Sequence, residues 1–175
     1  MFDIEPVSLV ISMVLIILFS IPFIIFKRKQ SKKIKSQKLF LEQLETNYYL
    51  KFDQTDDWRD MYFIGMDSAR KILVYVKFGT ENTIHKIDLD KVTDVKLLKM
   101  ERPLNVEGKA LHVLDSLILK IEIYGEKTAT RMLEFYDSEL FSDNLGELPL
   151  IQKWEKIIKP YIKYRESQIK KNVNL

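Results

Sequence analysis

The feature that most constrains this chain is an uncharged run near its start. Residues 6–26 (PVSLVISMVLIILFSIPFIIF) carry no Asp, Glu, Lys or Arg, and Ser8, Ser12 and Ser20 are their only hydroxyl-bearing members. Written as a helix, the run rises about 31 Å at 1.5 Å per residue, close to the ~30 Å hydrocarbon layer of a bilayer. A lone segment in lipid has to satisfy its backbone internally, which leaves only a helix. The sequence thus predicts a transmembrane α-helix over 6–26, kinked near Pro22, where an N–H is missing. The preceding MFDIE lacks the cations of a signal peptide and no small-x-small site follows the run, so an uncleaved anchor is expected rather than a removed leader.

Charge gives that helix a direction. No Lys or Arg precedes the run, whereas Lys27, Arg28, Lys29, Lys32, Lys33, Lys35 and Lys38 follow it. The positive-inside rule then places the protein in the cell membrane as a single-pass chain, N-terminus outside and C-terminal domain cytoplasmic. The absence of cysteine fits a reducing compartment. It also excludes a disulfide scaffold, a thiolate zinc site and a cysteine nucleophile. Residues 1–38 have a net charge of +5 and residues 39–175 of −2, so the positive charge lies off the folding body, which argues against a nucleic-acid binder. Residues 27–46 read as a basic juxtamembrane helix or linker. Its seven cations are the candidate membrane-surface residues, able to meet anionic lipid head groups at about 1 kcal/mol each before screening.

From residue 48 the apolar pattern alternates with period two, the signature of strands. Strands are expected at 48–53, 61–66, 71–78, 83–89, 92–99, 117–124 and 128–136. Residues 53–60 (DQTDDWRD) read as a polar connection, and residues 100–114 as a long loop because Pro103 and Gly108 interrupt the alternation. Leu150, Ile151, Trp154, Ile157, Ile158, Tyr161 and Ile162 recur at helical spacing, so an amphipathic helix is expected from Pro149 to about Gln168, followed by a flexible tail at 169–175.

A run of short antiparallel strands closed by one apolar-faced helix resembles the pleckstrin-homology-like (PH-like) superfold. The residues that carry the resemblance are the element order over 48–165, the segment IHKIDLDKVTDV at 84–95 and QKWEK at 152–156. The resemblance implies an antiparallel barrel, or two bent sheets, capped by the C-terminal α-helix, of the membrane-anchored type found in bacteria. The Lys- and Ile-rich composition also points to a bacterial source. The resemblance further implies that basic residues near the first hairpin hold lipid phosphates, which here singles out Arg70 and Lys71.

No nucleophile elbow, zinc-binding helix or phosphate loop occurs, so no catalytic, cofactor-binding or metal residue is assigned and no cofactor is expected. The carboxylates at Asp53, Asp56, Asp57 and Asp60 lack an EF-hand pattern. Arg102, Lys109 and His112, in the expected loop, join Arg70 and Lys71 as candidate partner contacts. The expected function is a single-pass, membrane-anchored cytoplasmic module binding a protein or lipid partner. A structural subunit of a membrane complex is the alternative, with Ser8 and Ser12 at a small-xxx-small spacing. A membrane-anchored enzyme ranks lower.

Overall fold

A computed structural model describes the backbone of residues 6–106, 109–124 and 129–173, and the side chains of residues 12–105, 111–124 and 129–162. The chain divides into two compact units, Met1–Tyr49 and Leu50–Leu175.

The first unit is one helix, α1 (Pro6–Tyr48), which runs without a break through Pro22 and the basic segment. It ends where Tyr49 turns left-handed, at φ 54°, and returns its N–H to the Thr46 carbonyl at 3.3 Å. This is the usual way for a helix to satisfy a terminal carbonyl. Among the described residues, no helix is long and apolar enough to cross a membrane, which corrects the transmembrane helix expected over 6–26. The side chains of residues 6–11 of that run, Ser8 included, lie outside the described residues. The described uncharged part, 12–26, rises only about 22 Å, and the next three residues are Lys27, Arg28 and Lys29. The fold class is thus a long N-terminal helix followed by a mainly-β domain with a C-terminal helix.

The second unit contains two antiparallel sheets. β1 (Gln54–Trp58), β2 (Tyr62–Asp67), β3 (Ile72–Lys77) and β4 (Thr83–Asp88) form the first, in sequential order. A 3-10 turn at Leu89–Lys91, capped by the Asp88 carboxylate, leads to the second sheet: β5 (Val92–Val106), β6 (Lys109–Ile123) and β7 (Ala129–Asp137), again in order. α2 (Glu147–Val173) completes the unit and packs on β5, β6 and β7. Tyr62, Ile64 and Met66 of β2 share one core with Leu117, Leu119 and Ile121 of β6, Leu133 and Phe135 of β7, and Ile151, Trp154 and Ile158 of α2. The helical periodicity read in the sequence is the packing face of α2, and the helix continues through Pro160.

Three elements differ from expectation. Residues 48–53 form no strand, because α1 keeps Tyr48 and Tyr49 caps it. Instead β1 occupies the Asp-rich stretch, with Gln54, Asp56 and Trp58 half-buried and Thr55 and Asp57 exposed. Residues 100–106 and 109–114 are the distal half of a strand pair rather than a loop: the pairs Arg102↔Val113, Pro103↔His112 and Leu104↔Leu111 extend the β5–β6 ladder. Pro103 fits because β5 is an edge strand, where a missing N–H breaks no ladder on the outer side. The bulge between Met100 and Glu101, where β6 inserts Asp115, marks the start of this arm.

Candidate functional site

Four places bear on function, and α1 holds the first. Met13, Phe19, Phe23 and Phe26 are 62%, 74%, 72% and 70% exposed, so the described apolar run buries no face. The seven candidate membrane-surface cations are all exposed, and among the described residues none of them forms an ion pair. Glu42 is the first acid after them. A shallow groove on this helix is lined by Ile24, Lys27, Arg28, Ser31 and Lys32.

The β2–β3 turn places Arg70 and Lys71. Asp67, buried at the end of β2, accepts the Arg70 N–H at 2.9 Å and the Lys51 N–H at 2.9 Å. These bonds, the Lys51 one first, hold its carboxyl below the usual carboxylate range. Arg70 is exposed. Lys71 is left-handed, at φ 56°, and its ammonium pairs with Asp90 at 2.8 Å. Lys77 belongs to another cluster: its ammonium reaches Glu134 at 2.6 Å, where Tyr62 also donates its hydroxyl at 2.5 Å. Tyr75 donates to the Glu134 carbonyl at 2.7 Å. Burial foremost pushes both phenols well above their ordinary value, so they remain neutral donors tying the first sheet to β7.

The β5–β6 arm places the other candidates in the second sheet, apart in topology from the β2–β3 turn. Arg102 reaches Asp115 at 3.1 Å. His112 sits one register pair further along, opposite Pro103, and therefore on the other face of the ribbon from Arg102. Lys109 pairs with Val106 through the backbone; its side chain lies outside the described residues. On the Arg102 face, Met100, Leu104 and Leu111 are 50%, 44% and 51% exposed. β7 pairs with β6 only from Ser116 onward, so among the described residues the arm has no third strand.

Where β7 ends beside β6, a cleft of about 410 Å³ is lined by Arg102, Asp115, Ser116, Ile118, Glu134, Asp137, Ser138 and Glu139. Sequence reasoning missed it, because its carboxylates come from β6, from β7 and from the turn after β7, and meet only through the pairing of the two strands. Two of them are paired with cations, Asp115 with Arg102 and Glu134 with Lys77, and Asp137 accepts the Glu139 N–H at 2.9 Å. The buried Ser116 hydroxyl has no hydrogen-bond partner among the described residues. No group of His, Cys, Asp and Glu side chains fit to hold a metal ion occurs among the described residues. Of the Asp-rich stretch, Asp53 accepts the Ser68 N–H and hydroxyl, and Asp56 accepts Lys153 and Trp154.

No protein-family model matches the chain, and no curated protein or solved structure matches it.

Proposed function

We propose that this protein is an interaction module working at the cytoplasmic surface of a membrane, with α1 meeting lipid and the β-rich unit recognising a protein partner. The observation that carries the reading is the order of surfaces along α1: exposed apolar side chains over 12–26, then seven cations with no acid among them. An exposed apolar surface of this extent marks an interaction site, and cations beside it favour anionic lipid over a neutral surface. The two-sheet unit with its C-terminal helix is read as PH-like, a scaffold suited to recognition. Its order of four strands, three strands and a helix supports that reading. The β5–β6 arm is the partner-contact element, through Met100, Arg102, Leu104 and Leu111.

The test is flotation of the full chain with vesicles of neutral lipid and of neutral lipid mixed with an anionic one, together with photocrosslinking from Leu104 or Leu111 in cells. Co-flotation that rises with anionic content, and one dominant crosslinked protein, are expected. A chain that stays at the bottom of the gradient with both vesicle types would remove the lipid half of the proposal. Crosslinks indistinguishable from those of an exposed residue outside the arm, such as Thr55, would remove the other half.

The cleft favours a second reading, an enzyme, since convergent polar groups in a concavity are what a reaction site needs. Partner recognition is preferred because the cleft's Asp115 and Glu134 are held by cations.

A further inference from the structure

We infer that α1 has a front and a back toward lipid phosphate: Lys27, Arg28, Lys32, Lys35 and Lys38 form one phosphate-binding face with Ser31, and Lys29 and Lys33 stand behind it. This rests on the lipid-contact reading of α1 and assigns the ligand as the phosphate of an anionic phospholipid.

The argument starts from helical geometry. α1 is continuous across this segment, and each residue advances by about 100°. Taking Ile24 as the origin, the five front cations and Ser31 fall within an arc of about 140° centred near it, whereas Lys29 and Lys33 lie roughly 140–180° away. The structure shows the start of this face as the groove lined by Ile24, Lys27, Arg28, Ser31 and Lys32. Its chemistry changes along its length, from the alkyl side chain of Ile24 to a guanidinium, two ammoniums and a hydroxyl. A phospholipid has the same order, acyl chain and then phosphate. Arg28 can grip two phosphate oxygens at once, and the lysines add point charge. No ion pair among the described residues competes for these groups, so binding an anion breaks none.

Net charge alone makes a different forecast, in which any two cations are equivalent. The experiment therefore compares two variants of the full chain that lose the same charge: R28Q/K32Q on the front and K29Q/K33Q on the back. Both substitute exposed helix positions with a good helix former, and circular dichroism checks that helicity is retained. Partitioning is measured by cosedimentation with vesicles of phosphatidylcholine and phosphatidylserine. A loss of roughly tenfold or more for R28Q/K32Q, with about threefold or less for K29Q/K33Q, is the expected result. Equal losses would overturn the face while leaving lipid association intact. Absence of binding by the unsubstituted chain would instead overturn the parent reading. Release of bound protein by inorganic phosphate, beyond that caused by chloride of equal ionic strength, would assign the face to a soluble anion and overturn the lipid assignment.

Discussion

Trp154 on α2 donates its indole N–H to the Asp56 carboxylate on β1 at 2.8 Å, across 98 residues of sequence. The indole is fully buried, and the same carboxylate oxygen takes the Lys153 ammonium at 2.6 Å. One aspartate thereby joins the first strand to the closing helix. Asp56→Leu strands the indole N–H and should cost about 1–3 kcal/mol, measured by urea unfolding. Asp56→Asn keeps an acceptor and should cost less. Equal costs would show that the indole bond is not the reason for the acid.

Arg59 provides a second tie. It and Asp60 both have positive φ, 57° and 48°, in the β1–β2 turn, a strain that glycine or asparagine would normally relieve. Its guanidinium stacks over Phe141 at 4.7 Å and pairs with Glu147 at 2.5 Å and Asp143 at 3.1 Å. The Arg59 and Glu147 side chains are only 12% and 4% exposed, so Arg59→Ala should cost about 3 kcal/mol by leaving a buried carboxylate unpaired. Asp143, 56% exposed, should lose at most about 1 kcal/mol on replacement by Ala. Chemical denaturation of both variants checks the contrast.

Acid should weaken the β-rich unit in two stages. Burial, and then the charge of Arg131, hold His85 below its ordinary value. The unfolded chain therefore takes up a proton before the folded one, and this contribution is full above ~6.5 and lost as pH falls through the folded value. Asp67 is likewise depressed, by the Lys51 N–H first. Its contribution is present above the unfolded carboxyl value and lost as pH falls through the lower folded one. Urea midpoints at a series of pH values should decline in both windows, His85→Gln removing the first and Asp67→Asn shrinking the second. Asp53, held down by its Ser68 hydrogen bonds, and Asp94, held down by Lys96, also contribute to that second window. A midpoint that rises on acidification would contradict both signs.

The arm is expected to matter for recognition more than for stability. Leu104 and Leu111 face each other across the ladder and are half exposed, so changing both to Ser should move stability by only about 0.5 kcal/mol. Crosslinking to the partner from a probe at Met100, on the same face and 50% exposed, should drop severalfold. A large fall in the unfolding midpoint would make the arm part of the core instead.

How much of this was legible in the sequence follows from how local each signal is. The α2 packing face and the alternation through Leu117, Leu119 and Ile121 report burial directly, and all three β6 residues are fully buried. β1 was hidden because Asp56 looks like loop chemistry until its partner on α2 is known. The arm was hidden because Pro103 breaks a central strand but not an edge. The uncharged run gave a length and no more: the helix it begins continues through the cations to Tyr48, and its described apolar part is too short to span a bilayer. The cleft was not legible at all, since Arg102, Ser116, Glu134 and Asp137 meet only through strand register.

The uneven pairing of β6 gives one strand two lifetimes. Leu119 and Ile121 sit between β5 and β7, so their amides should exchange with solvent deuterium only when the whole unit opens. Among the described residues Leu111 and Val113 have one neighbour strand, and they should exchange through a local fraying that leaves the rest untouched. A protease would therefore nick the outer half of the ribbon first, and the two pieces would stay together, held by everything beyond the bulge.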